Sequence, residues 1–159
     1  MNEIYYKTYD NKENHKMDKL NILLIEDSMV DVRLLIEAFK ESDTPLNLHV
    51  VNSGEDGLDY LFQRGKYIEA TIPHLIILDL NLPKISGLTV LEEIKNHEKL
   101  KIIPVIVQSA SQHDEDILRC YKLHANAYIL KPKDFRAFEE MIEVIKNFWF
   151  KIVKFPIIN

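Results

Sequence analysis

From Leu20 onward, short apolar runs alternate with longer stretches in which apolar residues recur every three or four positions. The short runs are rich in Ile, Leu and Val, as are strands that a parallel sheet buries on both faces. The longer stretches have the period of amphipathic helices. Strands that alternate with helices in this way predict βαβ units and therefore an α/β fold with a parallel sheet.

The pattern predicts five strands, over residues 21–25, 47–51, 75–78, 105–108 and 127–130, each followed by a helix. The helix positions predicted to face the core are Val32, Leu35, Ile36 and Phe39, then Leu58, Leu61 and Phe62, then Val90, Leu91 and Ile94, then Ile117, Cys120 and Tyr121, and finally Phe138, Met141, Ile142, Ile145 and Trp149. Right-handed crossovers allow two common strand orders. We favour 2-1-3-4-5, a doubly wound, flavodoxin-like sheet with helices on both faces.

Domain organisation follows from the distribution of apolar residues. The polar segment 1–19 lacks a helical or strand period, which predicts a disordered leader. Residues 20–159 are then one domain with an extended C-terminal helix and tail. In that helix Phe148, Trp149 and Phe150 follow one another, and three consecutive aromatics cannot all face inward. We expect at least one of them at the surface or against a partner.

Composition excludes several classes of function. The formal net charge is −5 and the basic residues are dispersed, which argues against nucleic-acid binding. No apolar run approaches the roughly 20 residues of a membrane span. Cys120 is the single cysteine, which precludes an internal disulfide, and no secretory leader precedes the first strand. We therefore expect a cytoplasmic protein that binds neither membrane nor nucleic acid.

Polar side chains follow several of the predicted strands. Glu26 and Asp27 come after the first strand, Asp79 after the third, Ser109 after the fourth and Lys131 after the fifth. Because the carboxyl ends of parallel strands share one edge, these side chains should meet where the strand order reverses. Carboxylate oxygens are the ligands that Mg²⁺ prefers, and a nearby lysine suits a phosphoryl group. The sequence therefore predicts a crevice for Mg²⁺ and phosphoryl chemistry.

Each of these residues also has a simpler interpretation. The acidic pair could be a solvated turn, and an aspartate at a strand end could merely cap the next turn. Ser28 and Asp31 resemble a capping pair at the start of the first helix. Hydroxyl residues such as Ser109 are frequent at strand ends, and an aromatic such as Tyr128 usually belongs to the core. The occurrence of three acids and a lysine in register favours the phosphoryl interpretation.

The acidic pair, the segment DLNLPKISG, the Ser-Ala pair at 109–110 and the Lys-Pro pair at 131–132 occur in this order along the chain. Together they resemble the signature of response-regulator receiver domains of two-component signalling, over about residues 20–150. The segments EDSMVDVRLL, DEDILRCY and NFWFKIVKFP, and the long loop before the third strand, are similar to stand-alone receivers that partner phytochrome-type histidine kinases.

The resemblance implies that Asp79 accepts a phosphoryl group from a sensor histidine kinase or a phosphotransfer protein and forms an acyl phosphate. It implies that Glu26, Asp27 and Asp79, with the backbone carbonyl of Asn81, hold Mg²⁺. Lys131 would pair first with Asp79 and then with the phosphoryl oxygens.

The resemblance also implies a switch, in which the hydroxyl of Ser109 binds the phosphoryl group and Tyr128 changes rotamer. Asn81 and Ser111 would stand at variable positions that influence how fast the acyl phosphate hydrolyses. The peptide bond between residues 131 and 132 resembles one that is cis in this family.

Few residues follow Lys131, so we expect a single-domain response regulator that signals by phosphorylation-dependent protein contact. It is not expected to be an enzyme, although labelling by small phosphodonors and self-dephosphorylation are expected. By family analogy the output surface comprises the fourth helix, the fifth strand and the last helix, and exposed aromatics there would allow a homodimer.

Two alternatives remain open. A phosphorylation-independent adaptor with a receiver fold would typically have lost an acid or the lysine, and this chain retains them all. An Mg²⁺-dependent phosphohydrolase with an aspartyl nucleophile usually places a second acid two residues further on, where this chain has Asn81.

Overall fold

The computed structural model describes residues 4–5, 19–40 and 43–157. Within them the strands are β1 (Ile4–Tyr5), β2 (Leu20–Ile25), β3 (Leu46–Val51), β4 (Leu75–Asp79), β5 (Val105–Ser109) and β6 (Ala127–Leu130). The α-helices are α1 (Met29–Lys40), α2 (Gly54–Leu61), α3 (Gly87–Asn96), α4 (Asp114–Lys122) and α5 (Phe135–Ile145). A 3₁₀ turn spans Gly65–Tyr67, and a π-helical segment, Lys146–Phe150, continues α5.

The sheet has the order β1-β3-β2-β4-β5-β6. Strands β2 to β6 run parallel, whereas β1 pairs antiparallel with β3. Counted from β2, the five parallel strands follow the order 2-1-3-4-5, which confirms the predicted topology. Ile25 of β2 lies beside Leu78 of β4 in the register of the sheet. The residues that follow each of them therefore emerge at the same edge.

Two apolar layers enclose the sheet. Leu23 and Ile25 of β2 pack with α2, α3 and α4 on one face, whereas Ile22 and Leu24 pack with α1 and α5 on the other. Each fully buried Leu or Ile contributes about 1.5–3 kcal/mol of hydrophobic stabilisation. Burial on both faces explains why the central strands have continuous apolar sequences rather than alternating ones.

The predicted strands agree with the structure to within one residue at each end. Asp79 and Ser109, expected just beyond their strands, are the last residues of β4 and β5 because both still lie in register with a neighbouring strand. Most of the helix positions predicted to face inward are buried or pack against the core, with one clear exception. Tyr121 was expected on the inner stripe of α4 and is 50% exposed.

The error at Tyr121 has a physical cause. α4 packs against the sheet through a narrow contact, and Cys120 is its buried residue. Tyr121 lies at the margin of that contact, and its hydroxyl oxygen accepts a hydrogen bond from the backbone N–H of Tyr128 in β6 at 3.3 Å. Ile117, on the same predicted stripe, is half-buried.

The aromatic residues after α5 divide as predicted. Phe148 is 50% exposed, whereas Trp149 and Phe150 pack against the core on the α1 and α5 face. The rings of Phe150 and Phe39 lie 5.7 Å apart, and those of Trp149 and Phe155 lie 6.3 Å apart. The last turns of the chain are thus anchored to the domain by two aromatic rings while a third faces outward.

Three further expectations concern the N-terminal leader, membrane spans and a cis peptide bond. The predicted disordered leader 1–19 lies outside the described residues except for 4–5 and 19, and it stays a prediction. Among the described helices, none has both the length and the apolar character needed to cross a membrane. The described residues contain no cis peptide bond, so the expectation of a cis bond between residues 131 and 132 was wrong.

Candidate functional site

Three carboxylates meet at the C-terminal edge of the sheet. Glu26 and Asp27 follow β2, Asp79 ends β4, and one carboxylate oxygen from each lies within 4.8 Å of the other two. Glu26 is 0% exposed and Asp79 is 4% exposed, whereas Asp27 lies at the surface. The adjacency of β2 and β4 produces this arrangement, and the predicted convergence of the acids is confirmed.

Lys131 reaches the same carboxylates from the end of β6. Its Nζ donates to Glu26 Oε2 at 2.8 Å, to Asp31 Oδ2 at 2.9 Å and to Asp79 Oδ2 at 3.0 Å. Its backbone N–H donates to the carbonyl of Ser109 at 2.9 Å, which fixes the strand end from which the side chain extends. The predicted contact of Lys131 with the acids is therefore present.

Asp31 is the site residue that the sequence analysis missed. It was identified only as part of a capping pair, and that pair exists, since Ser28 Oγ accepts from the backbone N–H of Asp31 at 3.3 Å. Its carboxylate nevertheless points to Lys131. One feature of the sequence could have indicated this contact. Asp31 lies in the first turn of the helix that follows the acidic pair, and a side chain there lies close to the C-terminal edge of the sheet.

Backbone N–H groups orient the two buried acids. The N–H of Ser28 donates to Glu26 Oε1 at 3.0 Å, and the N–H of Asn81 donates to Asp79 Oδ1 at 3.1 Å. Each of these carboxylates thus has one oxygen bound to the backbone and the other bound to Lys131. Both carboxyl groups are thus held in fixed orientations.

The charges at this edge are not balanced. Four carboxyl groups, those of Glu26, Asp27, Asp31 and Asp79, lie at this edge, and in the described part of the chain the ammonium of Lys131 is the cation that pairs with three of them. Burial, together with the charge of Asp79, raises the pKa of Glu26 to about 7, against the lowering effect of the hydrogen bonds from Lys131 and from the Ser28 N–H. Burial opposes the charge of Lys131, but its hydrogen bonds to the three acids raise its pKa above the usual lysine range. The cluster can accept further positive charge.

The predicted switch residues lie on either side of Ser111. Ser109 is 0% exposed, and its Oγ accepts from the backbone N–H of Ser111 at 3.1 Å. Tyr128 is half-buried, and its hydroxyl donates to the carbonyl of Ser111 at 2.9 Å. The turn after β5 therefore connects the Ser109 hydroxyl to the Tyr128 ring.

A glycine allows α3 to begin directly against the end of β4. The N–H of Gly87 donates to the carbonyl of Leu80 at 2.9 Å. A Cβ at position 87 would lie 2.1 Å from the carbonyl oxygen of Asp79 and 2.6 Å from Leu80 Cα. Both atoms belong to the backbone, so any larger residue at 87 must displace the segment that carries Asp79.

Known proteins resemble this chain over most of its length. The response regulator Rcp1 of Synechocystis sp. is 40% identical over 135 residues, which cover 85% of this chain and 92% of that protein. The crystal structure of the Mn²⁺-bound form of Rcp1 superposes with a TM-score of 0.85 at 39% identity, covering 87% of this chain and 99% of the other.

A second similar structure is that of the phosphorylated cyanobacterial phytochrome response regulator RcpA. It also has a TM-score of 0.85, and the two sequences are 40% identical. The match covers 88% of this chain and 100% of RcpA. The model of the response regulator receiver domain matches residues 22–143. This match includes both faces of the core, the three clustered acids and Lys131. The chain therefore belongs to the response regulator receiver domain family.

Proposed function

We propose that Asp79 accepts a phosphoryl group from a phosphohistidine of a sensor histidine kinase or a phosphotransfer protein. One observation carries the proposal: the carboxylates of Glu26, Asp27 and Asp79 share a site with the ammonium of Lys131. Phosphorylation on aspartate is general in this family. Asp79 is the member of the cluster that ends the central strand β4, with one oxygen fixed by the backbone and the other by Lys131.

The donor set fits a divalent cation. It consists of hard oxygen ligands in excess of the neighbouring positive charge, and Mg²⁺ prefers such ligands. Glu26, Asp27 and Asp79 would hold the ion, together with the backbone carbonyl of Asn81. Bound Mg²⁺ would neutralise charge that builds up on the phosphoryl oxygens during transfer. The Mn²⁺-bound form of Rcp1, a similar protein, supports this assignment.

The transfer itself is a displacement at phosphorus. A carboxylate oxygen of Asp79 forms the new O–P bond while the P–N bond to the donor imidazole breaks, and the imidazole nitrogen keeps the electron pair. The ammonium of Lys131, which lies 3.0 Å from Asp79 Oδ2, stabilises negative charge on the phosphoryl oxygens. The product is an acyl phosphate, and the same Asp79 would react with small phosphodonors and lose the group by hydrolysis.

Phosphorylation then changes protein contacts. Ser109 would donate its hydroxyl to the phosphoryl group and Tyr128 would change rotamer, biasing the domain toward a second conformation. Exposed apolar side chains lie on α4, β6 and α5 and just beyond α5, where they would meet the target protein or a second copy of the chain. These side chains include Leu118, Tyr121, Leu130, Phe135 and Phe148.

The likeness to Rcp1 and RcpA supports a phytochrome-type histidine kinase as the phosphoryl donor. A kinase of this type would place the chain in the cytoplasm.

The two alternative functions, phosphohydrolase and adaptor, predict different behaviour. A phosphohydrolase would turn over small phosphate esters many times at Asp79. An adaptor would bind its partner equally well with and without the phosphoryl group.

The test combines acetyl phosphate, Mg²⁺ and intact-mass measurement on the wild type, Asp79→Asn and the exposed control Asp43→Asn. We expect one added phosphoryl group on the wild type and on Asp43→Asn, and none on Asp79→Asn. Labelling of Asp79→Asn would overturn the proposal. Rapid multiple turnover would establish the hydrolase instead, and labelling without any change in self-association or kinase affinity would establish the adaptor.

A further inference from the structure

Ser111 is the centre of a hydrogen-bonded network that joins the phosphoryl site to α4. Its N–H donates to Ser109 Oγ, and its carbonyl accepts from the hydroxyl of Tyr128. Its own hydroxyl donates to Asp116 Oδ2 at 2.6 Å. A hydrogen bond to an ionised acceptor at this distance is among the stronger ones in proteins. The first turn of α4 is therefore tied to the turn that carries Ser109.

The first turn of α4 depends on the hydrogen bonds of Ser111, whereas α2 and α3 each begin with a side-chain cap of their own. His113 precedes α4 without capping it through its side chain, whereas Ser53 and Ser86 cap α2 and α3. Ser111 Oγ instead accepts from the N–H of His113 at 3.3 Å while it donates to Asp116. Since Cys120 is the buried residue of α4, few apolar contacts assist this tie.

The first turn of α4 contains three acids, of which Asp116 differs from the others. Asp116 is half-buried and accepts the hydroxyl of Ser111, whereas Asp114 is exposed. Both carboxylates stand near the N-terminal end of the helix, where negative charge is favourable. A comparison of the two positions therefore separates the hydrogen bond from the general electrostatic effect.

We infer that Asp116 is a positioning residue for phosphoryl chemistry at Asp79, because it holds Ser111 and, through Ser111, the hydroxyl of Ser109. The inference rests on the proposed function. A shift of the Ser109 hydroxyl toward a phosphoryl group displaces Ser111, to which it is bonded, and Ser111 is anchored by Asp116. Asp116 thus stabilises the arrangement present before phosphorylation and transmits the shift to α4.

Removal of the Asp116 carboxylate should therefore increase the rate at which Asp79 is phosphorylated. Without the acceptor at 116, the arrangement seen here loses one charge-assisted hydrogen bond, and the shift of Ser109 becomes easier. We expect Asp116→Ala to be labelled by acetyl phosphate about tenfold faster than the wild type, as a difference of one such bond implies. Asp116→Asn retains a neutral acceptor and should restore much of the wild-type rate. Asp114→Ala should label at the wild-type rate.

The experiment measures the labelling rate of these four proteins by intact mass, together with Mg²⁺ affinity and thermal unfolding. An Mg²⁺ affinity that is equal in all four would show that the faster labelling does not arise at the metal ligands. Equal labelling rates for Asp116→Ala and Asp114→Ala would overturn the inference. So would a lowered unfolding temperature with unchanged or slower labelling, which is the signature of a merely structural role. Failure of the wild type to be labelled on Asp79 would instead refute the proposed function, and this inference with it.

Discussion

Lys131 Nζ lies 2.9 Å from Asp31 Oδ2, within 0.1 Å of its distances to the two buried acids, Glu26 and Asp79. Asp31 nevertheless stands outside the cluster of three acids whose oxygens converge. The ammonium is thus shared between two acids of the converging cluster and a fourth carboxylate that belongs to α1. Phosphoryl transfer at Asp79 would redistribute these contacts, since the phosphoryl oxygens compete for the same three N–H donors.

Asp31→Asn tests this division of roles. The variant keeps a hydrogen-bond acceptor for Lys131 and removes a charge that is not among the converging oxygens. We expect the Mg²⁺ dissociation constant to change by less than about threefold, whereas Asp27→Asn weakens binding by about tenfold or more. Titration calorimetry with Mg²⁺ measures both variants. Equal losses for the two would place Asp31 among the metal ligands.

Lys131→Met should make stability depend strongly on the divalent cation. Without metal, the variant leaves the carboxylates of Glu26 and Asp79 buried with no cation, a change that typically costs about 3–5 kcal/mol. Saturating Mg²⁺ should recover most of the loss, so the variant gains more free energy of unfolding from Mg²⁺ than the wild type does. Urea unfolding with Mg²⁺ and with a chelator measures this difference.

The matched control for that experiment is Lys133→Met, which alters an exposed lysine two residues away. Its free energy of unfolding should stay within about 0.5 kcal/mol of the wild-type value under both conditions. If Lys131→Met behaved in the same way, the ion pairs at the sheet edge would contribute nothing to folding.

Gly87→Ala should both destabilise the fold and slow phosphorylation. The added Cβ would lie 2.1 Å from the carbonyl oxygen of Asp79, and relief of this overlap must move backbone. Forced overpacking of this kind costs about 1–3 kcal/mol or more. The unfolding temperature and the rate of labelling by acetyl phosphate should therefore both be lower than in the wild type.

Gly65→Asn provides a contrast to that variant. Gly65 has a φ of +55°, and a Cβ there would meet no atom within 4 Å. Asparagine tolerates this left-handed conformation better than most residues do. We expect little change in unfolding temperature and an unchanged labelling rate. A comparable loss in both variants would show that the close approach at position 87 is not the cause.

The sequence was sufficient to predict the strands, because apolar runs end where the polar residues begin. It left two common strand orders open, and the favoured order, 2-1-3-4-5, is the one that brings Glu26, Asp27, Asp79 and Lys131 together. It could not predict the contact between Lys131 and Asp31. That contact depends on the direction in which α1 leaves the sheet, and tertiary packing determines this direction rather than local periodicity.

The error at Tyr121 has a related origin. Helical spacing placed Tyr121 on one stripe with Ile117 and Cys120, but spacing alone does not give the width of the stripe that a sheet covers. In α4 the covered stripe is narrow, and Cys120 occupies it. The network from Ser109 through Ser111 to Asp116 also escaped prediction, because it depends on side-chain hydrogen bonds in a turn.

Phe148→Ser should reduce self-association without loss of stability, if a second copy of the chain covers this surface. Phe148 is 50% exposed, so folding gains little from its burial. Trp149→Ser, one residue on, should instead lower the free energy of unfolding by about 2–4 kcal/mol because Trp149 packs against the core. Sedimentation with and without acetyl phosphate measures association. A wild type that stays monomeric in both conditions would exclude the homodimer.

Because its thiol is buried, Cys120 should lower the free energy of unfolding at alkaline pH. Burial, together with the charge of Asp116, raises the pKa of its thiol from the ordinary value of 9.0 to about 11. As the pH rises from about 9 to about 11, the unfolded chain releases a proton that the folded chain retains, so unfolding becomes more favourable. The stabilising contribution is complete below pH 9.0 and is lost as the pH passes through about 11. Urea unfolding across this range should show a steeper decline in the free energy of unfolding for the wild type than for Cys120→Ala.

Burial of Cys120 should also protect its thiol at neutral pH. The native thiol should react with iodoacetamide far more slowly than the thiol of the denatured chain does, and equal rates would show that α4 leaves Cys120 open to solvent.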